Sequence, residues 1–410
     1  MKLRAFRHIV MAACVSALAA CDALALHDAG DATRTGSETA EVPGVVISHL
    51  PKSEGCYVGS PSIAVAPDGD YVASHDLFGE NAPLTSRGRT TYIFRSTDRG
   101  ATWTRTAVID GLFWANLFFL NDTLYALGVA SGHGNIVIMK STDHGYTWTT
   151  PADRNSGLLF VGAYHTAPTP VVIGKCRIWR AMENANAIAS DLPIRYGALM
   201  ISADLDKDLL RADSWTMTNT LPADQQHLGG EMRGWLEGNA VVGPDGDILD
   251  IMRVHVWPGT PEQAAILHVS DDGREISFSE SDYVPFAGGA KKFTIRYDAR
   301  SGRYWTLAND VLPDFASEYP ASVRNSLTLM SSADLREWTM HKQVLYHPEI
   351  KKHAFQYVDW VVYGEDIVFV SRTAFDDEEG GAASAHDANY LTFHRIPSFR
   401  SLVNETVAQN

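Results

Sequence analysis

Apolar residues along most of this chain fall in short runs broken by polar turns, without the i, i+3, i+4 recurrence of long helices. The runs come in pairs that read as hairpins. Pro61 to Val65 and Tyr71 to Ser74 flank Pro67-Asp68-Gly69, and Asn239 to Val242 and Ile248 to Ile251 flank a second Pro-Asp-Gly turn. Asn116 to Phe119 pairs with Leu124 to Leu127, and Thr169 to Val172 with Arg177 to Arg180. Phe293 to Tyr297 pairs with Tyr304 to Leu307, and Trp360 to Tyr363 with Ile367 to Val370. Val45 to His49 is positioned to close a ring by pairing beyond Tyr390 to Phe393.

Between these pairs a turn recurs. Ser96 to Trp103 and Ser141 to Trp148 both read S-x-D-x-G-x-T-W, the Asp-box pattern, with weaker copies at Ser331 to Trp338 and Ser270 to Gly273. The Asp accepts backbone N–H groups within the turn, the Gly supplies a positive φ, and the Trp packs the turn on a neighbouring strand. Such a box is structural, so its Asp and Trp are poor catalytic candidates. Repeated four-stranded units at this period predict an all-β chain folded as a β-propeller, with six blades countable.

The first residues carry a different pattern. Lys2, Arg4 and Arg7 precede an apolar run from Ile9 to Ala20 that is short for a membrane span. The run ends Leu18-Ala19-Ala20-Cys21 and resembles a lipoprotein processing site. The expected organisation is a signal peptide over 1–20, a flexible tether from lipidated Cys21 over 21–42, and one propeller domain over 43–410. The chain is then exported and lipid-anchored in a bacterial envelope, periplasmic or at the cell surface, and monomeric. Cys56 and Cys176 remain; neither has a partner at zinc-ligand spacing, and whether they pair is left open.

Composition narrows the class. The 410 residues are 45% hydrophobic and 20% charged with 32 Gly and 18 Pro, which excludes collagen-like, coiled-coil and disordered chains. A formal charge of -15 repels phosphate backbones, so nucleic acid is excluded as a partner.

Unusual residues gather at one predicted end of the ring. Second strands of the blades end in His75-Asp76, His133, Arg180 to Glu183, Arg253 to His255 and Arg372. First strands are approached through Trp114, Tyr164-His165, Glu237-Gly238-Asn239, Lys291-Lys292 and His353. An acidic chain that aims cations and imidazoles at one funnel points to an anionic oligosaccharide or polysaccharide as substrate.

Asp-box propellers include sialidases, other exo-acting glycan enzymes and binding modules, so the fold alone does not choose. A sialidase needs three convergent arginines and a Tyr/Glu pair, its first Arg in a Phe-Arg-Ile-Pro motif before the first box. That motif is missing there, and His394-Arg395-Ile396-Pro397 echoes it in the last strand.

The segments Pro61 to Ile63, Val72 to Gly79, Tyr164 to Pro168, Ile178 to Glu183, Trp235 to Asn239 and Gly288 to Tyr297 resemble another group. These are the propellers that act on L-rhamnose α-1,4-linked to D-glucuronate, comprising lyases and α-L-rhamnosidases. The resemblance implies seven blades and removal of terminal rhamnose from arabinogalactan-type glycans by β-elimination, with hydrolysis as the alternative. It implies no required cofactor, with Ca²⁺ as an optional aid. Under it, His75, Tyr164 and His165 are the candidate acid and base. Arg180, Arg253 or Lys292 is placed to neutralise the carboxylate, with Trp114, His133, Glu237, Asn239, His255 and His353 completing the substrate site. The hydrolase branch uses a single His on the opposite face, for which His49 is the candidate. A non-catalytic glycan-binding lipoprotein would instead stack sugars on Trp114, Trp235 and Trp257.

Overall fold

A computed structural model describes residues 41–186 and 193–403. The signal segment, Cys21 and the tether up to residue 40 lie outside the described residues. What is described is an all-β, propeller-like arrangement of six antiparallel units. Their innermost strands are Tyr57–Val65, Phe113–Leu120, Val172–Gly174, Met232–Val242, Thr294–Asp298 and Ala354–Tyr363. Units two and three share one nine-stranded sheet, because the last strand of unit two, Leu158–His165, pairs with Arg177–Asn184 of unit three. A seventh unit, implied by the family resemblance, is not found among the described residues. Val45–His49 completes the last sheet by pairing with Tyr390–Ile396, with Val45 opposite Phe393 and His49 opposite Tyr390.

Each sheet buries both faces against its neighbours, which is why the inner strands are nearly continuous apolar runs rather than alternating ones. The wholly buried Trp179, Trp305 and Trp360 fill the wedges between units.

Around the axis runs a belt of polar side chains, one within each of four inner strands. Ser62 Oγ accepts the Leu117 N–H (2.9 Å), and Asn116 Oδ1 accepts the Val171 N–H (3.3 Å). Asn239 Oδ1 accepts the Ile295 N–H (3.0 Å), and Asp359 Oδ2 accepts the Ile63 N–H (3.0 Å). Each side chain satisfies a buried donor of the next unit, so the belt ties units together where no sheet ladder crosses. Asn239→Ala would leave the Ile295 N–H and the Phe293 carbonyl without their partner. The expected loss is about 1–3 kcal/mol of stability, read by urea denaturation.

The outer turns at Asp98 and Asp143 fold alike. Asp98 Oδ1 accepts Thr102 N–H (2.8 Å), Ser96 Oγ accepts Gly100 N–H (2.8 Å), and Trp103 Nε1–H donates to the Gly100 carbonyl (3.2 Å). Gly100 sits at φ +91°, and a Cβ there would strike Phe393. These turns line the end of the ring where the inner strands finish, so the beginnings of the inner strands form the other end. Cys56 is buried and Cys176 exposed, and both are free thiols.

Candidate functional site

At the end where the inner strands begin, four of them bulge. The pairing of inner with second strand slips between Val58 and Pro61, Phe113 and Asn116, Leu236 and Asn239, and Gln356 and Asp359. In three cases the first extra residue carries a large side chain in a left-handed conformation: Trp114 at φ +51°, Glu237 at +58° and Tyr357 at +54°. Non-glycine residues rarely adopt this geometry, and such strain concentrates at functional sites. Asp76 holds part of it in place by accepting the N–H groups of Ser60 (3.2 Å) and Trp114 (3.3 Å). Burial pushes its carboxyl up to about 7.

Glu237 and Tyr357 meet. The Tyr357 hydroxyl donates to Glu237 Oε1 at 3.1 Å, and Arg253 donates to Glu237 Oε2 at 2.5 Å. Burial works against the Glu237 charge, but Arg253, His165 and Arg324 outweigh it and hold the carboxyl below its ordinary range. Arg253 in turn is held above its ordinary value, since Glu237 and Tyr357 outweigh its burial. Two further guanidinium groups face the same phenol: Arg372 lies 4.9 Å and Arg324 5.5 Å from the Tyr357 ring centre. Both are buried, which lowers their pKa, that of Arg372 to about 10, and Nε of Arg372 has no partner. Three arginines, a tyrosine and a glutamate thus share one cluster.

His165 flanks it. Its Nδ1–H donates to Glu183 Oε2 (2.7 Å), and the other Glu183 oxygen accepts the N–H of Gly238, next to Glu237 (3.1 Å). That bond fixes the tautomer and leaves Nε2 of His165 available for proton transfer. Trp114 and Tyr196 enclose the imidazole at ring-centre distances of 4.5 and 4.4 Å. His133 hydrogen-bonds the Tyr196 hydroxyl (2.9 Å), and burial followed by the His165 charge lowers its pKa to about 4.

Among the residues expected from sequence, Trp114, His133, His165, Glu237 and Arg253 are therefore brought together. The others are not. His75 faces outward to Ser48 Oγ (3.1 Å) and the Asp76 carbonyl (2.9 Å), stacked on Phe94, and burial lowers its pKa to about 4. Tyr164 precedes His165 on a strand, so their side chains point to opposite faces, and its hydroxyl reaches Met217 Sδ. Arg180 is wholly buried, donating to Thr169 Oγ1 and to the carbonyls of Ala167 (2.5 Å) and Ala181 (3.2 Å). Lys292 donates to Thr294 Oγ1 and the Val358 carbonyl, both at 2.7 Å, and burial lowers its pKa to about 8. Asn239 belongs to the belt. His255 bonds the Tyr319 hydroxyl (3.0 Å), and His353 is held by Glu349 (2.7 Å). Trp235 is buried, so it offers no sugar platform. His49 stacks on Tyr390 and bonds Asp377 (3.1 Å); its register opposite Tyr390 places it at the same end as the cluster. Arg395 of the partial motif pairs with Asp366 (2.8 Å). Among the described residues no group of three or more His, Cys, Asp or Glu side chains is arranged to hold a metal.

Arg372 and Glu183 stood among the strand-end residues that sequence aimed at this end of the ring, without a role of their own, whereas Tyr357 and Arg324 were not expected from sequence. One signal was available for Tyr357. Trp114-Ala115-Asn116, Glu237-Gly238-Asn239 and Tyr357-Val358-Asp359 share a spacing, a large residue two positions before a belt residue that opens an apolar run.

A cavity of about 980 Å³ opens at the other end of the inner strands, lined by apolar residues such as Val65, Phe119, Val171, Val241 and Val361. It shares no residue with the Tyr357 cluster, so its size does not make it the reacting site.

No family model matches the chain, and no curated protein matches it. Solved structures do. A protein of unknown function from Dyadobacter fermentans is similar over 87% of this chain and 100% of its own, at 13% identity and a TM-score of 0.56. A Hadza microbial sialidase is similar over 86% of this chain and 68% of its own, at 13% identity and a TM-score of 0.57. The Penicillium chrysogenum α-L-arabinanase complexed with arabinobiose is similar over 87% and 98%, at 14% identity and a TM-score of 0.53. At these identities the likeness is one of fold alone: the chain shares the propeller-like all-β architecture of these proteins.

Proposed function

We propose that this protein is an exo-acting glycan enzyme that cleaves at an acidic sugar, with Tyr357 as the reacting group. The observation that carries the reading is the Tyr357 phenol hydrogen-bonded to Glu237 and surrounded by Arg253, Arg324 and Arg372. Arg253 is spent on Glu237; Arg324, held at Nε and Nη1 by Ala321 and Gln356, and Arg372, held at Nη2 by His386, keep their remaining N–H groups to neutralise a substrate carboxylate. The fold is shared with glycosidases, which is consistent with a glycan substrate. The export leader and Cys21 suit an envelope enzyme that meets polymers outside the cytoplasm.

The preferred reaction is β-elimination at a glucuronate bearing 4-linked rhamnose. Pairing the carboxylate with guanidinium groups acidifies the C5 proton. Glu237 draws on the Tyr357 hydroxyl, and the phenolate takes that proton. The C4–O bond breaks as the C4–C5 double bond forms, and His165, entering as the imidazolium paired with Glu183, gives its Nε2 proton to the departing oxygen and is left neutral. Rhamnose leaves, and an unsaturated uronate remains.

The same Tyr357–Glu237 contact favours a second reading. A tyrosine activated by a carboxylate is a nucleophile as well as a base, and it would give hydrolysis through a covalent intermediate. Gum arabic and a rhamnosyl-glucuronide decide between the two. Free rhamnose with new unsaturated-uronate absorbance is the expected result, and rhamnose without absorbance selects hydrolysis. Release of sialic acid from a sialoside, with no action on either glucuronide, would replace this substrate with a nonulosonate. Binding without any product would reduce the protein to a lectin.

A further inference from the structure

The strand that supplies Arg253, Ile248–Val256, runs on towards the rim of the ring. Successive side chains of a strand alternate, so Arg253 and His255 leave by the same face, and Trp257 follows directly after the strand's last residue. At roughly 3.3 Å per residue, Trp257 stands about 13 Å from Arg253. Nearly half of Trp257 is exposed (48%), unusual for so large an apolar side chain.

Its ring is nevertheless held. The Arg233 guanidinium lies 4.1 Å from the Trp257 ring centre and 5.3 Å from that of Tyr319. Tyr319 is fixed in turn by the 3.0 Å bond of its hydroxyl to His255 Nδ1. Tyr319 and Arg324 flank the short turn Pro320–Ser322, so one loop serves both Tyr357 and this outer aromatic group. A preorganised, half-open indole beside a phenol and a guanidinium offers one apolar face rimmed by donors. That chemistry fits the C–H face and hydroxyl edge of a pyranose.

We infer that Trp257, Arg233 and Tyr319 form a second sugar subsite, which receives neutral residues of the glycan chain beyond the acidic sugar at Tyr357. The inference rests on the acidic-glycan reading above and extends it: the enzyme favours long chains over isolated disaccharides. A sugar stacked on Trp257 is reached by a chain of about two further residues, given the 13 Å step along the strand.

Calorimetric titration of the Tyr357→Phe protein, whose turnover is expected to be slowed roughly 10²- to 10⁴-fold, tests the subsite. The ligands are gum arabic and a rhamnosyl-glucuronate disaccharide. Adding Trp257→Ala is expected to weaken gum arabic binding about tenfold, the equivalent of one stacking contact near 1.4 kcal/mol, and to leave disaccharide affinity as it was. Trp257→Phe should restore most of the loss. Equal weakening for both ligands, or none for either, overturns the subsite while the acidic-glycan reading stands. If Tyr357→Phe alone binds neither ligand, that reading falls and the subsite with it.

Discussion

Replacing Tyr357 by Phe should reduce turnover of a rhamnosyl-glucuronide by roughly 10²- to 10⁴-fold, the range spanned by loss of a positioned proton-transfer group. The change removes one oxygen. That oxygen donates to Glu237 (3.1 Å) and accepts from Arg253 and Arg324, and Glu237 keeps its ion pair with Arg253 when the oxygen is lost. Stability should fall by about 1–3 kcal/mol and no further, because the phenyl ring still fills the space between Arg324 and Arg372. Initial rates, with circular dichroism and a melting curve on the same samples, separate chemistry from folding. Near-parental rates in a folded Tyr357→Phe protein would remove Tyr357 from the reaction.

Glu237 should behave differently, because its loss is structural as well as chemical. Glu237→Ala strands the Arg253 guanidinium in a site where both partners are almost wholly buried. Breaking one side of such a pair costs about 3–5 kcal/mol, because the remaining charge has neither partner nor water. The variant is expected to melt well below the parent and to be inactive. Glu237→Gln keeps one acceptor oxygen, which can face Arg253, while its NH₂ turns to the Tyr357 hydroxyl, so it should recover part of the stability without the activity. Recovery of both would mean that the negative charge at Glu237 has no part in the chemistry. A stable Glu237→Ala protein would mean that Arg253 finds another partner or water.

How far the sequence reached follows from the range over which each feature is encoded. The hairpin pairs, the Asp98 and Asp143 turns and the closing strand at Val45 are local patterns or repeats, so strand alternation and turn chemistry reveal them within one segment. Which end of the ring carries the unusual residues also followed, since it depends only on the direction of each strand. Trp114, His165, Glu237 and Arg253 were legible for that reason.

Tertiary structure decided the rest. His75 and Tyr164 sit at the right places along the chain, yet strand alternation turns them to the sheet face away from the Tyr357 cluster, and no count of spacing reports the pleat across an irregular join. Arg180 and Lys292 reach the centre but are consumed by backbone carbonyls and hydroxyls of neighbouring units. The Tyr357–Glu237 contact joins residues of units six and four, and Arg324 arrives from unit five. The chain by itself therefore determined an all-β ring and the face of it that carries chemistry, since turn and strand preferences are local. Only the closed ring could decide which side chains meet at its centre, because each of those contacts spans a loop of many residues and depends on a one-residue bulge in the strand that presents it.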